Sequence, residues 1–260
     1  QPPRRSHPKT SSRMGADHEY VAHRRVVIEF LHKSLAIDPD TGRHQLEKVL
    51  HSVVFPMKTT SEDVTLDSQN LWLVDERLSF HVYLASDKSL KSMEPLDSGE
   101  LTRPDIFVVN DFDSRLFDRT HVLAEGTAYP LNSFVVVEFK RPNHMDYGDD
   151  NPITQVYEQI EKIRDSKFKD KRGRYIQLSQ RNVPAYAFIV CDIASAELKR
   201  FARSAMLQPS PDGQGFFGYN TAPEINAYVE IISYDKLIED AKKRNRVLFD
   251  RMGLSTAYED

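Results

Sequence analysis

The chain has 260 residues, 40% hydrophobic and 28% charged, with 10 Gly and 14 Pro, which excludes collagen-like, low-complexity and wholly disordered classes. Lys plus Arg number 35 and Asp plus Glu 39, a net charge of -4, so a nucleic-acid-binding surface has to be local. A single cysteine, Cys191, excludes a disulfide framework and a Cys-rich zinc module, and no uncharged apolar run approaches the ~20 residues of a bilayer span; the expectation is a cytoplasmic protein, in a reducing compartment, without a membrane partner.

Residues 1–16 carry Pro, Ser, Arg and Lys with almost no apolar content and read as a disordered tail. Val21, Ile28, Leu31 and Leu35 recur at helical spacing behind Asp17, an N-cap type, and predict a first helix from Asp17 to Ala36. A second helix is predicted from about His44 to Val54, with Leu46, Val49, Leu50 and Val53 on one face and Pro56 ending it. LWLV at 71–74 reads as a short buried strand. The following DERLSFHVYLAS reads as a helix, with its alternation making a strand the competing reading. PDIFVVN (104–110) and NSFVVVEFK (132–140) are β-branched runs bounded by turn residues and predict adjacent core strands. Asn151 and Pro152 supply a cap and a first-turn Pro for a helix to about Asp165, striped by Val156, Ile160 and Ile163. Then come a strand at 183–192 containing Cys191, a short helix at 194–204, a strand at 227–234 and a final helix at 235–252. DGQGFFGYN (212–220) lacks the Lys and the strand-to-helix setting of a nucleotide loop and reads as a hairpin or turn. The sum is an α/β fold with a mixed β-sheet flanked by helices.

Side chains alternate across a strand, so Glu138 and Lys140 share one face of VVVEFK while Val135, Val137 and Phe139 share the other. A carboxylate and an ammonium at the end of an apolar strand suit phosphodiester hydrolysis: the acid holds a divalent metal, and the amine orients water and offsets developing charge. Asp105, just after Pro104 at the start of the preceding strand, supplies a second hard oxygen ligand, and such a pair favours Mg²⁺ or Mn²⁺ over zinc. Asp111 and Asp113 are rivals for this place but do not follow a strand-opening Pro. His44, Glu47 and His51 fall at helical spacing and read as packing or surface groups rather than a soft-metal site. RPNHMDYGDDN (141–151) reads as a solvated loop, with a lid carrying Arg141, Asp146 and Tyr147 as the alternative. Positive charge is concentrated in EKIRDSKFKDKRGRYIQ, where Lys167, Lys169, Lys171, Arg172 and Arg174 are candidates for contact with the phosphate backbone. A second basic group, Lys242, Lys243, Arg244 and Arg246, reads as a solvated helix face.

Pro104-Asp105 followed by Glu138-Phe139-Lys140 and an amphipathic helix resembles the PD-(D/E)XK nuclease superfamily over roughly residues 44–192. The resemblance implies a restriction-endonuclease-like sheet within one domain, 17–260, made of a helical extension (17–43), a nuclease core (44–192) and a C-terminal strand with helices (193–260). It also implies that Glu47, or its rival Glu76, completes the metal set of Asp105 and Glu138, and that Gln155, with Gln159 one turn later, assists at the site. The implied activity is metal-dependent hydrolysis of DNA, endonucleolytic, with RNA an open alternative substrate. Nucleases of this kind often act as dimers, so a homodimer is an implied partner, although no patch demands one. NLWLVDERLSFHVYLASDK and YDKLIEDAKKRNRVLF further resemble C-terminal nuclease-like modules of bacterial proteins with an Hsp90-type ATPase. Gln1 is not Met and no ATPase motif is present, so the expectation is an effector piece of a defence or restriction system whose ATPase or sensor lies elsewhere. The alternative function is a nuclease-like module that binds nucleic acid or assembles without cutting.

Overall fold

The computed structural model describes residues 10–35, 47–65, 68–79, 81–110, 133–169, 175–177 and 183–254. Its centre is a seven-stranded mixed sheet in the order β1 (His81–Ser86), β3 (Ile106–Asn110), β4 (Ser133–Phe139), β7 (Ala185–Val190), β10 (Ala227–Ile232), β9 (Gly215–Asn220) and β8 (Gln208–Pro209). The inner strands β4, β7 and β10 run parallel, and antiparallel strands flank them on both sides. A smaller antiparallel sheet joins β2 (Leu96–Asp97), β5 (Lys167–Lys169) and β6 (Tyr175–Gln177).

Every residue of SFVVVEF in β4 is buried, because helices cover the sheet on both faces, and β-branched residues fit such a strand. Phe134 and Val136 point into a core shared with Val156, Ile160 and Ile163 of α3 (Pro152–Asp165) and Leu198 of α4 (Ala196–Ser204). Val135, Val137 and Phe139 point into a second core with Ile28 and Leu31 of α1 (Thr10–Ser34), Leu50 of α2 (Glu47–Val54) and Leu237 and Phe249 of α5 (Tyr234–Arg251). Asn151 caps α3 by accepting from the Ile153 N–H at 3.0 Å, with Pro152 in the first turn, and Ser233 caps α5 by accepting from the Lys236 N–H at 3.0 Å. Gly215 has no substitute in β9, since a Cβ there would meet the Ile231 carbonyl oxygen at 2.2 Å.

Several expectations are corrected. The first helix begins at Thr10, inside the segment read as a tail. Residues 71–73 form a 3-10 turn rather than a strand, and the carbonyls of Trp72 and Leu73 accept from the Arg244 guanidinium at 2.9 and 2.8 Å where a strand would use a ladder. Of the segment read as a helix at 75–86, Glu76–Ser79 is a 3-10 turn and His81–Ser86 is strand β1. Tyr83 and Ala85 enter one core and Leu84 the other, so this strand is buried on both faces, which blurs its alternation. Within the basic segment, Lys167–Lys169 and Tyr175–Gln177 form strands β5 and β6.

Candidate functional site

β4 and β7 end together, and the open crevice beyond the carboxyl ends of parallel strands is where α/β sheets place ligands. Lys140 extends this edge, its N–H donating to the Val190 carbonyl at 2.9 Å while its own carbonyl accepts from the Tyr234 hydroxyl at 2.6 Å. The antiparallel register pairs Ile106 with Val137, and one further step sets Asp105 opposite Glu138. Asp105 is fixed there by the Phe139 N–H, which donates to Oδ2 at 2.7 Å. The expected partnership of the Pro-Asp strand with the Glu-x-Lys strand is therefore formed, although residues 111–132 lie between them.

Glu138 is 7% and Lys140 8% exposed, and their charged ends meet at 3.4 Å. The ammonium also donates to Gln155 Oε1 at 2.7 Å and lies 3.3 Å from Asp150 Oδ2, so all three of its N–H groups have an acceptor. Gln159 donates from Nε2 to Glu138 Oε2 at 3.1 Å, leaving its own buried Oε1 without a hydrogen-bond partner among the described residues. The two glutamines of α3 thus hold the two ends of the Glu138–Lys140 pair, as the helical spacing allows.

The electrostatics are those of crowded acids, Glu138 buried and Asp105 and Glu47 partly buried. Burial first, and then the charge of Glu138, push the Asp105 carboxyl up to about 8, against the Phe139 N–H that favours its ionised form. Burial raises Glu138 too, outweighing Lys140 and the Gln159 hydrogen bond. Glu47, at the start of α2, is raised by burial, lowered in part by Lys140 and by the Arg141 backbone N–H, and adds its charge to both Asp105 and Glu138. Desolvation alone would lower Lys140, but Glu138 and Asp150 together raise it, so the amine stays protonated.

Glu47 belongs to this group and Glu76 does not. Glu76 is taken by Arg24, whose Nη1 and Nη2 reach its two oxygens at 2.5 and 3.0 Å, while Nη1 also donates to Asn245 at 3.0 Å. The 141–151 segment is pinned rather than free: Glu197 accepts from the Tyr147 and Gly148 N–H groups at 2.7 and 3.1 Å, and Tyr147 is buried while Arg141 and Asp146 are exposed. Lys243, Arg244 and Arg246 are exposed, as expected of a solvated helix face, and Arg244 in addition ties α5 to the carbonyls of Trp72 and Leu73. Lys167 and Lys169 are exposed on β5; Lys171, Arg172, Arg174, Asp111, Asp113 and His44 lie outside the described residues. Cys191 is a free, fully buried core residue.

Two residues of the site, Asp150 and Tyr234, escaped the sequence reading, and a third, His51, read as a packing or surface group, packs directly behind the acids. Asp150 partners Lys140 from the position before the Asn151 cap, and only its proximity to the helix start hinted at this. His51 is buried, stacks on Phe139 at 5.3 Å between ring centroids, shares a 2.8 Å hydrogen bond with Ser86 Oγ and sits 3.8 Å from Asp105 Oδ1. Its position four residues after Glu47, on the same helix face, was the available signal. Burial drives its pKa down to about 4, so it is a neutral spacer behind Asp105. Tyr234, which anchors the Lys140 carbonyl, comes from far along the chain and gave none.

Among the described residues no three His, Cys, Asp or Glu side chains form a ready-made metal cage. The fit to a divalent ion rests on donor chemistry: Asp105, Glu138 and Glu47 are hard oxygen donors whose mutual repulsion in a buried setting a cation relieves. A cavity of about 700 Å³ lies at the ends of β7 and β10; Tyr234 lines it, but Asp105, Glu138 and Glu47 do not. Comparisons with protein-family models, curated proteins and solved structures yield no match to this chain. No described helix is long and apolar enough to cross a membrane.

Proposed function

We propose that the chain is a divalent-metal-dependent nuclease of the PD-(D/E)XK kind, hydrolysing phosphodiester bonds of DNA at the carboxyl end of β4. The single observation that carries this reading is the convergence of Asp105, Glu138 and Lys140, with Glu47 beside them, where two adjacent strands end. On this reading the mixed sheet is a restriction-endonuclease-like core.

Asp105 and Glu138, assisted by Glu47, would hold Mg²⁺ or Mn²⁺, which when bound supplies Lewis-acid polarisation and a more acidic water. Lys140 contributes a fixed positive charge where the phosphate gains negative charge, and its N–H groups orient the attacking water. Gln155 fixes the Lys140 Nζ and Gln159 the Glu138 carboxylate, so both charged ends are oriented before substrate arrives. Asp150, half exposed, is the Lys140 partner that a water or phosphate oxygen displaces. Because Glu138 and Asp150 keep the amine protonated, Lys140 acts as a cation and donor rather than as a base.

The test is incubation with supercoiled plasmid, linear duplex and single-stranded DNA and RNA in Mg²⁺, Mn²⁺ or EDTA. Metal-dependent cutting supports the reading, and the plasmid-to-linear comparison separates endonuclease from exonuclease. A folded protein that takes up no Mn²⁺ and cuts none of these substrates overturns it and leaves the non-catalytic binding module.

A further inference from the structure

The small sheet carries a feature that the hydrolytic site does not use. In β5, Phe168 is 5% exposed and points into the core with Leu96, so Lys167 and Lys169 on either side of it face outward. The β5–β6 register sets Tyr175 opposite Lys169, and Tyr175 is 55% exposed. The Lys169 and Lys167 ammonium groups stand 5.3 and 5.8 Å from that ring's centroid. Asp97, exposed and opposite Lys167 on β2, limits the positive charge at that edge. An exposed aromatic ring flanked by two ammonium groups on a sheet face matches a nucleotide: a π surface for the base and cations for its flanking phosphates.

We infer that Lys167, Lys169 and Tyr175 form a stacking platform for an unpaired base, which makes the substrate a single strand or a duplex with a single-stranded segment. The inference rests on the nuclease reading for its substrate and refines it. Paired bases keep their faces inside the stack, so this ring distinguishes single strand from duplex, while the lysines alone would not. The platform is coupled to the candidate site by α3. At 1.5 Å per residue, roughly 9 Å of helix separates Gln159 from Asp165, and Ser166 then leads into β5.

The experiment is fluorescence anisotropy with a labelled oligothymidylate and a duplex of equal length, in EDTA so that nothing is cut. The wild type is expected to bind the single strand more tightly than the duplex. Tyr175→Ala should weaken single-strand binding by roughly 10- to 100-fold, the range one stacked base contributes, whereas Tyr175→Phe keeps the π face and should stay within about twofold. Replacing both lysines by Gln should lower the slope of log affinity against log salt by roughly 1.4. Equal affinity for duplex, unchanged binding by Tyr175→Ala with an unaltered melting curve, or no binding by the wild type overturns the platform. Because only binding is read, Tyr175-dependent binding without cleavage would refute the hydrolytic reading and leave the platform standing. Cleavage with Tyr175-independent binding would do the reverse.

Discussion

Replacing Asp105 by Asn should stabilise the metal-free protein while removing most of its response to Mn²⁺. Asp105 is a partly buried acid opposite the buried Glu138, and its carboxyl is raised from 3.8 to about 8. Between those values the folded state holds a proton that the unfolded chain has released, so stability falls as pH rises. At roughly 1.4 kcal/mol per pH unit, the limit at pH 7 is on the order of 4 kcal/mol. The repulsion is shared with Glu138, so neutralising one partner recovers about half. Asn still accepts from the Phe139 N–H, but the weaker neutral hydrogen bond gives back about 1 kcal/mol. A net gain of about 1 kcal/mol corresponds to a melting temperature some 2–4 °C higher in EDTA at pH 7, with an advantage that widens from pH 5 to 8. At a hundredfold excess of Mn²⁺ over its Kd the wild type should gain about 2.7 kcal/mol, and the variant much less. Scanning calorimetry in EDTA and in Mn²⁺ reads both effects. An Asn variant that melts below the wild type in EDTA across pH 6–8, or gains as much from Mn²⁺, refutes the reasoning.

His51→Ala removes a buried ring stacked on Phe139 and strands the Ser86 hydroxyl; it should cost about 3 kcal/mol, read as a melting temperature roughly 6–12 °C lower. His51 itself should make the wild type acid-sensitive: below 6.5 the unfolded chain takes up a proton that the folded ring refuses until about 4. Asp105 acts in the opposite sense over that window and is common to both proteins, so the readout is the difference: the urea midpoint of His51→Gln should gain on that of the wild type as pH falls from 6.5 to about 4. Arg24→Met severs the contacts to Glu76 and Asn245 that tie α1 to the turn at 76–79 and to α5. With Glu76 partly solvated, the expected loss is about 2 kcal/mol by urea unfolding, and a smaller loss in Glu76→Gln would agree.

Local signals identified the core strands and the acid-amine pair at their edge. The Val-rich runs of β3 and β4, the Asn151-Pro152 start of α3 and the shared face of Glu138 and Lys140 are each written within a few neighbouring residues. The pairing of Asp105 with Glu138 was legible too, because a Pro-Asp strand opening and a Glu-x-Lys strand closing match only in an antiparallel neighbour. What stayed hidden depends on distant partners. LWLV at 71–74 has the composition of a buried strand, yet Arg244 satisfies its carbonyls, and nothing near residue 71 announces residue 244. His81–Ser86 is buried on both faces, so neither period dominates its pattern. Asp150 and Tyr234 gain their roles only when loop and helix ends converge on Lys140, and the choice between Glu47 and Glu76 turned on Arg24, a residue of another helix.

The measurement that bears most directly on the hydrolytic reading is the rate of plasmid nicking by the wild type and by Lys140→Ala in Mn²⁺, with Mn²⁺ uptake by both proteins followed in parallel. The account predicts metal-dependent nicking by the wild type that falls by about 10²-fold or more in the variant, the usual loss when a preorganised charge is removed from a transition state. The variant should still take up Mn²⁺ through Asp105 and Glu138. Equal nicking by the two proteins, or a folded wild type that cuts neither plasmid nor single-stranded DNA, would contradict it.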